Sequence, residues 1–450
     1  MTVNKSGVDT AGLPIKMKLG YGVGDLAYNI LINVTSIFLL IFYTDVFLID
    51  PWLAGIIFLV SKLWNALIDP FIGYFIDRTD TRWGKMRPYM IFGAAPLSIC
   101  FFLVFASPDL EESMRFAYGM ATFLLFNSAF AIANVPYAAL TASMTRDANE
   151  RSNLTAYRMT FATVGMLIAG GATKPLVNLF SSEAIGYRIV AIIFGLFSIA
   201  IILLSAFNVK ETVHQQTDDE KRVALNLKAL SKNYPFILLV LSFVVTAVAV
   251  YAMASTTNYF FTYYVQREDL ISVALIILFV SAVIAFPLWL KVSKKTSKKA
   301  TYISGLIVFG VSLVAIYFAR DIAIWQLLIL IGFAGAGMST YILFPWAMVP
   351  DTVEYSQWKT GIRQEGFLYG FFVFGLKLSQ AFAGFFTGMV LSYVGYVANA
   401  EQSIEALNGI RFLMTLMPCV LITIGILLIA FYPISAEMHQ KMLEDIGKAE

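Results

Sequence analysis

Twelve separate stretches of this chain are apolar for long enough to cross about 30 Å of hydrocarbon, beginning near Tyr21, Trp52, Pro88, Tyr118, Thr155, Gly186, Pro235, Ser272, Thr301, Ala323, Gly366 and Gly409. A backbone inside lipid must satisfy its own polar groups, and single apolar segments of this length do that only as helices. The pattern therefore predicts an all-α membrane protein with twelve transmembrane helices. Composition points the same way, because 59% of the 450 residues are hydrophobic and only 14% are charged. A water-facing globule of this size needs about 25% charged residues to cover its surface.

Basic residues in short loops set the expected orientation. Arg78, Arg82, Lys85 and Arg87 fall in the second loop, Arg146 and Arg151 in the fourth, Lys294, Lys295, Lys298 and Lys299 in the eighth, and Lys359 and Arg363 in the tenth. The odd loops carry acids instead, among them Asp45, Asp50, Asp109, Glu111 and Glu112. Both termini are expected on the cytoplasmic side, and "MTVNKSGVDTAGLPIKMK" lacks the apolar core of a secretory signal. The one long polar insert, "NVKETVHQQTDDEKRVALNLKALSKNYP", falls near mid-chain. It predicts an N-terminal six-helix bundle over 1–209, a cytoplasmic loop over 210–234 and a C-terminal six-helix bundle over 235–450.

Charge within the spans is the next constraint, since burying an ionised side chain at mid-bilayer costs about 2.5–3.5 kcal/mol on insertion scales. Asp25, Lys62, Asp69, Arg158 and Lys377 stand there. Lys62 and Asp69 are about two helical turns apart, with Asn65 between them on the same face. A carboxylate in that position can bind a cation or a proton, and the ammonium and amide can bond sugar hydroxyls. A plainer alternative for Asp69 is an interhelical ion pair, and for Lys62 snorkelling to an interface. Lys377 is too deep to snorkel, so it either pairs across the bundle or faces a wet cavity; Arg158 could instead tie to the adjacent loop.

The first helix contains Gly20, Gly22 and Gly24 at alternate positions, which without a preceding strand is a packing signal, not a dinucleotide motif. Asn29 lies one turn beyond Asp25, and either can reach a cavity. In "IANVPYAAL" Pro136 interrupts the backbone ladder near Asn134 and Tyr137, giving a polar pocket or a simple packing kink. Trp64, beside Asn65, can stack on a pyranose face or meet lipid. The two histidines, His214 and His439, join no triad or zinc spacing, and Cys100 and Cys419 lie in apolar runs. No enzyme, metal site, cofactor or nucleic-acid partner is expected.

Together "KLGYGVGDLAYN", "LWNALIDPFIGYFIDRTDTRWGKMRPY", "NVPYAALTASMTRDANERSNLTAYR", "DTVEYSQWKTGIRQEG" and the lysine of the eleventh helix resemble the glycoside, pentoside and hexuronide to cation symporter family over essentially the whole chain. The resemblance implies the major facilitator fold, two six-helix bundles that rock about a central site. It implies a cation site on the second helix at Asn65 and Asp69. The first family carboxylate is an amide here, and the further matching positions, Ile68 and Ala131, are apolar. One carboxylate and one amide make a poor sodium cage, so a co-transported proton is favoured over sodium.

For sugar, the resemblance implies Asn29, Asn134, Arg158 and Trp64, beside which Asp25, Lys62, Tyr137 and Lys377 are candidates from the residues themselves. Amides in place of two family carboxylates leave a more positive pocket, suited to a hexuronide or sulfonated sugar. Asp77, Arg78, Asp351, Glu354, Arg363 and Glu365 are the expected cytoplasmic gating charges. The expected activity is import of a sugar or glycoside with a cation by a monomer in a bacterial inner membrane. A lysolipid or lipid-headgroup carrier of the same superfamily is the alternative.

Overall fold

The computed structural model describes residues 13–145, 148–209, 211, 230–319, 323–361 and 365–449. Within them lie 12 helical spans long and apolar enough to cross a membrane, and no strand. They are α1 (Ile15–Ile41), α2 (Pro51–Arg78), α3 (Arg87–Val104), α4 (Glu112–Met144), α5 (Ala148–Val177), α6 (Glu183–Asn208), α7 (Tyr234–Tyr259), α8 (Ile271–Lys295), α9 (Lys298–Phe318), α10 (Ile324–Thr360), α11 (Glu365–Tyr393) and a last span made of α12 (Ile404–Met414) and α13 (Leu416–Ala430). A short amphipathic helix, α14 (Ala436–Ala449), follows. Eight helix starts agree with the sequence reading to within three residues, while the first, fourth, fifth and last spans begin earlier than expected, at Ile15, Glu112, Ala148 and Ile404, because polar residues at those ends extend the helix beyond its apolar stretch.

α1 and α7 each end in a five-residue π-helical turn, Phe42–Val46 and Phe260–Tyr264. Such wide turns leave the regular ladder and often mark functional positions. α10 stops at Gly361, whose φ of +69° is a left-handed cap that a residue with a Cβ adopts only under strain.

Contacts divide the chain into two compact units, residues 1–35 with 67–217, and residues 36–66 with 218–450. In the first, α3 packs on α4 and α6, and glycines bring the helices close. A Cβ on Gly22 would lie 3.0 Å from the side chains of Tyr157 and Phe161, and one on Gly24 would lie 2.6 Å from the Tyr137 ring. The alternate glycines of α1 are thus a packing device.

In the second unit α10 packs on α8 and α9, and α7 on α11 and α13. The last turns of α1, from Ser36, and the first half of α2 belong to this unit. Gly55 of α2 crosses Gly388 of α11 so closely that a Cβ on Gly388 would lie 2.3 Å from the Pro51 carbonyl oxygen. This is the small-residue contact expected of membrane helices, where packing replaces the hydrophobic effect as the driving force.

Candidate functional site

The candidate residues fall into two groups, one in each unit. In the first unit Asp25 of α1 is 5% exposed and accepts from Arg158 of α5, Nε to Oδ2 at 2.6 Å and Nη2 to Oδ1 at 3.4 Å. The tie for Arg158 is therefore to α1. Its guanidinium also lies over the rings of Tyr137, 5.0 Å to the centroid, and Tyr21, 5.5 Å. An ion pair that deep persists only when further bonds hold it. Here two tyrosines lock the frame: Tyr137 donates to the Tyr21 carbonyl at 2.8 Å, and Tyr21 donates to the Tyr137 carbonyl at 3.0 Å.

Asn29 is half-buried and its amide donates back to the Asp25 carbonyl at 2.9 Å, leaving its Oδ1 facing the Asn33 amide at 3.5 Å. Asn134 is half-buried on α4, one turn from Ala131, which is buried against Ile72 and Ile76 of α2. Asp69 is half-buried with its Oδ1 out of contact with solvent. Tyr137 is fully buried, its hydroxyl committed to the backbone of α1.

In the second unit Lys62 is 2% exposed, too deep for snorkelling, and the ammonium of Lys377 lies within electrostatic reach of it. Lys377 Nζ approaches the Asn65 carbonyl at 3.4 Å. Asn65 is itself buried, whereas Trp64 next to it is 45% exposed. Two lysines and the Asn65 backbone carbonyl thus converge from α2 and α11, and the adjoining residue is a partly exposed tryptophan.

A family model described as MFS/sugar transport protein matches residues 20–436. The chain belongs to this family of major facilitator sugar transporters. The transporter is 30% identical over 451 residues to the putative sulfoquinovose importer of Escherichia coli (strain K12), covering 98% of this chain and 95% of that protein. It is 31% identical over 455 residues to the putative 2,3-dihydroxypropane-1-sulfonate exporter of Salmonella typhimurium (strain LT2), covering 99% and 98%. In fold it is similar to a bacterial homologue of the human lysosomal transporter Spinster, solved inward-facing and unoccupied, with a TM-score of 0.65 at 14% identity over 96% of this chain and 97% of that one. Family and relatives are transporters, not enzymes, and the chain is an integral membrane protein.

Of the transporter's expected gating charges, Asp351 is buried and accepts from Lys298 Nζ at 2.7 and 2.9 Å, while Glu354 lies 2.5 Å from His439 Nε2. Arg78 is exposed and packs its guanidinium over Tyr74, 3.9 Å from the ring centroid. Glu365 is exposed at the start of α11. The side chain of Asp77 and the whole of Arg363 lie outside the described residues.

One cluster has no counterpart in the sequence reading, which used Asp45 only as an acidic loop residue. The Asp45 carboxylate accepts from Tyr263, from Tyr396 at 2.6 Å and from Thr44 at 2.5 Å, and the Asn399 amide donates to its carbonyl at 2.6 Å. Thr44 also meets the Tyr259 hydroxyl at 2.8 Å, and the Asn258 amide donates to the Ile37 carbonyl at 2.6 Å. The end of α1 is thereby fastened to the end of α7 and to the segment that follows α11. Burial and the Asp45 charge hold the Tyr396 phenol well above its ordinary range, so it stays a proton donor at working pH.

Proposed function

We propose that this transporter carries an anionic sugar, a hexuronide or a sulfonated sugar, in symport with a proton across a bacterial inner membrane, with both termini in the cytoplasm. The observation that carries the reading is Lys62, 2% exposed and within electrostatic reach of Lys377. Burial and proximity make two charged lysines costly in a medium of low dielectric, and a carboxylate or sulfonate set against both offsets that cost.

Asn29 and Asn134 are then the hydroxyl ligands, since an amide both donates and accepts. Trp64 offers its exposed face to the ring. Asp69 is the coupling group, and its protonation state sets sugar affinity; coupling is the ratio of affinities in the two states. Asn65 exposes a backbone carbonyl toward Lys377 and provides no second carboxylate, which supports a proton over sodium. Import is the favoured direction, in keeping with the sulfoquinovose relative; the sulfonate exporter among the relatives makes export the competing reading. A monomer is the proposed transporting unit.

Ligand-induced thermal stabilisation of the purified protein tests the substrate class. A hexuronate or sulfonated hexose should raise the melting temperature where the matching neutral glycoside does not, and Lys377→Gln should abolish the difference. Equal stabilisation by the neutral sugar would remove the case for an anion.

A further inference from the structure

Among the described residues a cluster of titratable side chains outside that site joins the terminal helix α14 to the inner ends of α9 and α10. His439 Nε2 lies 2.5 Å from Glu354 Oε2 and 3.6 Å from Asp351 Oδ1. Lys298 Nζ holds both oxygens of Asp351 and also donates to the Ala347 carbonyl at 3.0 Å. The helix is not resting on this contact alone. Met442 is fully buried, and Trp358 Nε1 of α10 donates to Asp445 at 3.1 Å.

We infer that α14 is a proton-responsive strap, with His439 as the positioning residue that holds α14 to the inner end of α10, which Lys298 joins to α9. Protonated, His439 adds a positive charge that with Lys298 balances Asp351 and Glu354. Neutral, the imidazole can donate one N–H to one carboxylate only, and the cluster keeps a net negative charge. Histidine is the side chain that ordinarily changes charge between about pH 5 and pH 8. Around it stand Lys298 from α9 and Asp351 and Glu354 from α10, and the Asp351 charge is felt in turn by Tyr369 of α11 and Tyr432 of the α13–α14 turn. Burial holds the Tyr432 phenol well above its ordinary range, so it remains neutral. The strap tightens as the cytoplasmic side acidifies and so slows a cycle that needs α10 to move, a brake on a carrier that delivers protons inward. The strap rests on the transporter assignment alone, and only its sense as feedback depends on the proton symport proposed above.

Spin labels at Lys294→Cys and Leu443→Cys, both exposed positions, with Cys100 and Cys419 replaced by Ser, report the strap without any substrate. The short-distance population should dominate at about pH 5.5 and its ratio to the longer one should fall on the order of tenfold by about pH 8. His439→Gln should give one distribution at both pH values, and Glu354→Gln should weaken the response if the histidine variant is unstable. Trp358→Phe should loosen the strap equally at both. Distances that do not move with pH, or a response that survives in His439→Gln, would overturn the strap, whereas a failed sugar assay would leave this readout untouched.

Discussion

Replacing Asp45 by Asn perturbs the fastening of α1 to α7 and to the segment that follows α11 with almost no change in volume. The carboxylate serves three hydroxyl donors, Thr44, Tyr263 and Tyr396. An amide has one acceptor oxygen, so one tyrosine loses its acceptor and the bonds that remain lose their charge. Hydrogen bonds to charged groups are worth about 1.5–3 kcal/mol and neutral ones about 1. Allowing for re-pairing with the new amide hydrogens, the fastening weakens by roughly 2 kcal/mol, or about thirtyfold in the ratio of released to fastened molecules. If release is populated at about one in a hundred in the parent, about a quarter of the variant molecules are released. Spin labels at Leu48 and Tyr393, exposed residues on the linker after α1 and at the end of α11, should show this fraction as a new longer distance. An unchanged distance distribution in a stably folded Asp45→Asn protein would refute the account of Asp45 as a fastening.

Four further outcomes are expected. Asp25→Asn leaves the half-buried Arg158 without its carboxylate and should cost about 2–3 kcal/mol of stability, read as a lower melting temperature, with part of the loss recovered in Asp25→Asn with Arg158→Gln. Lys377→Gln should weaken binding of an anionic sugar by roughly 10- to 100-fold in calorimetry, the worth of one charged hydrogen bond, and leave thermal stability nearly unchanged. Gly388→Val places side-chain atoms where the Pro51 carbonyl already sits within 2.3 Å of a Cβ, so α2 and α11 must separate and transport should be lost in a protein that still inserts. Asp69→Asn should abolish uphill accumulation while retaining downhill exchange, measured in vesicles with and without an imposed gradient.

Span number and placement were legible because the bilayer demands about twenty apolar residues per crossing, whatever the tertiary packing. Lys62, Asp69, Arg158 and Lys377 were legible as anomalies for the same reason: charge in an apolar run is visible without a structure. Partners were not. Arg158 and Asp25 are 133 residues apart, and nothing in local spacing pairs them. Asp45 read as a loop acid because its tyrosine donors lie far along the chain, the nearest of them, Tyr263, 218 residues away. His439 showed no motif because its carboxylate Glu354 lies 85 residues earlier, on another helix. The contact boundary inside α2, after Ala66, left no mark either, since one helix runs through it from Pro51 to Arg78.

Uptake into sealed proteoliposomes, with a hexuronate, a sulfonated hexose and a neutral methyl glycoside offered under a proton gradient or a sodium gradient alone, measures substrate class, coupling ion and direction together. The account predicts accumulation of an anionic sugar driven by protons, lost in Asp69→Asn. Accumulation of the neutral glycoside in preference, or accumulation driven by sodium alone, would contradict it.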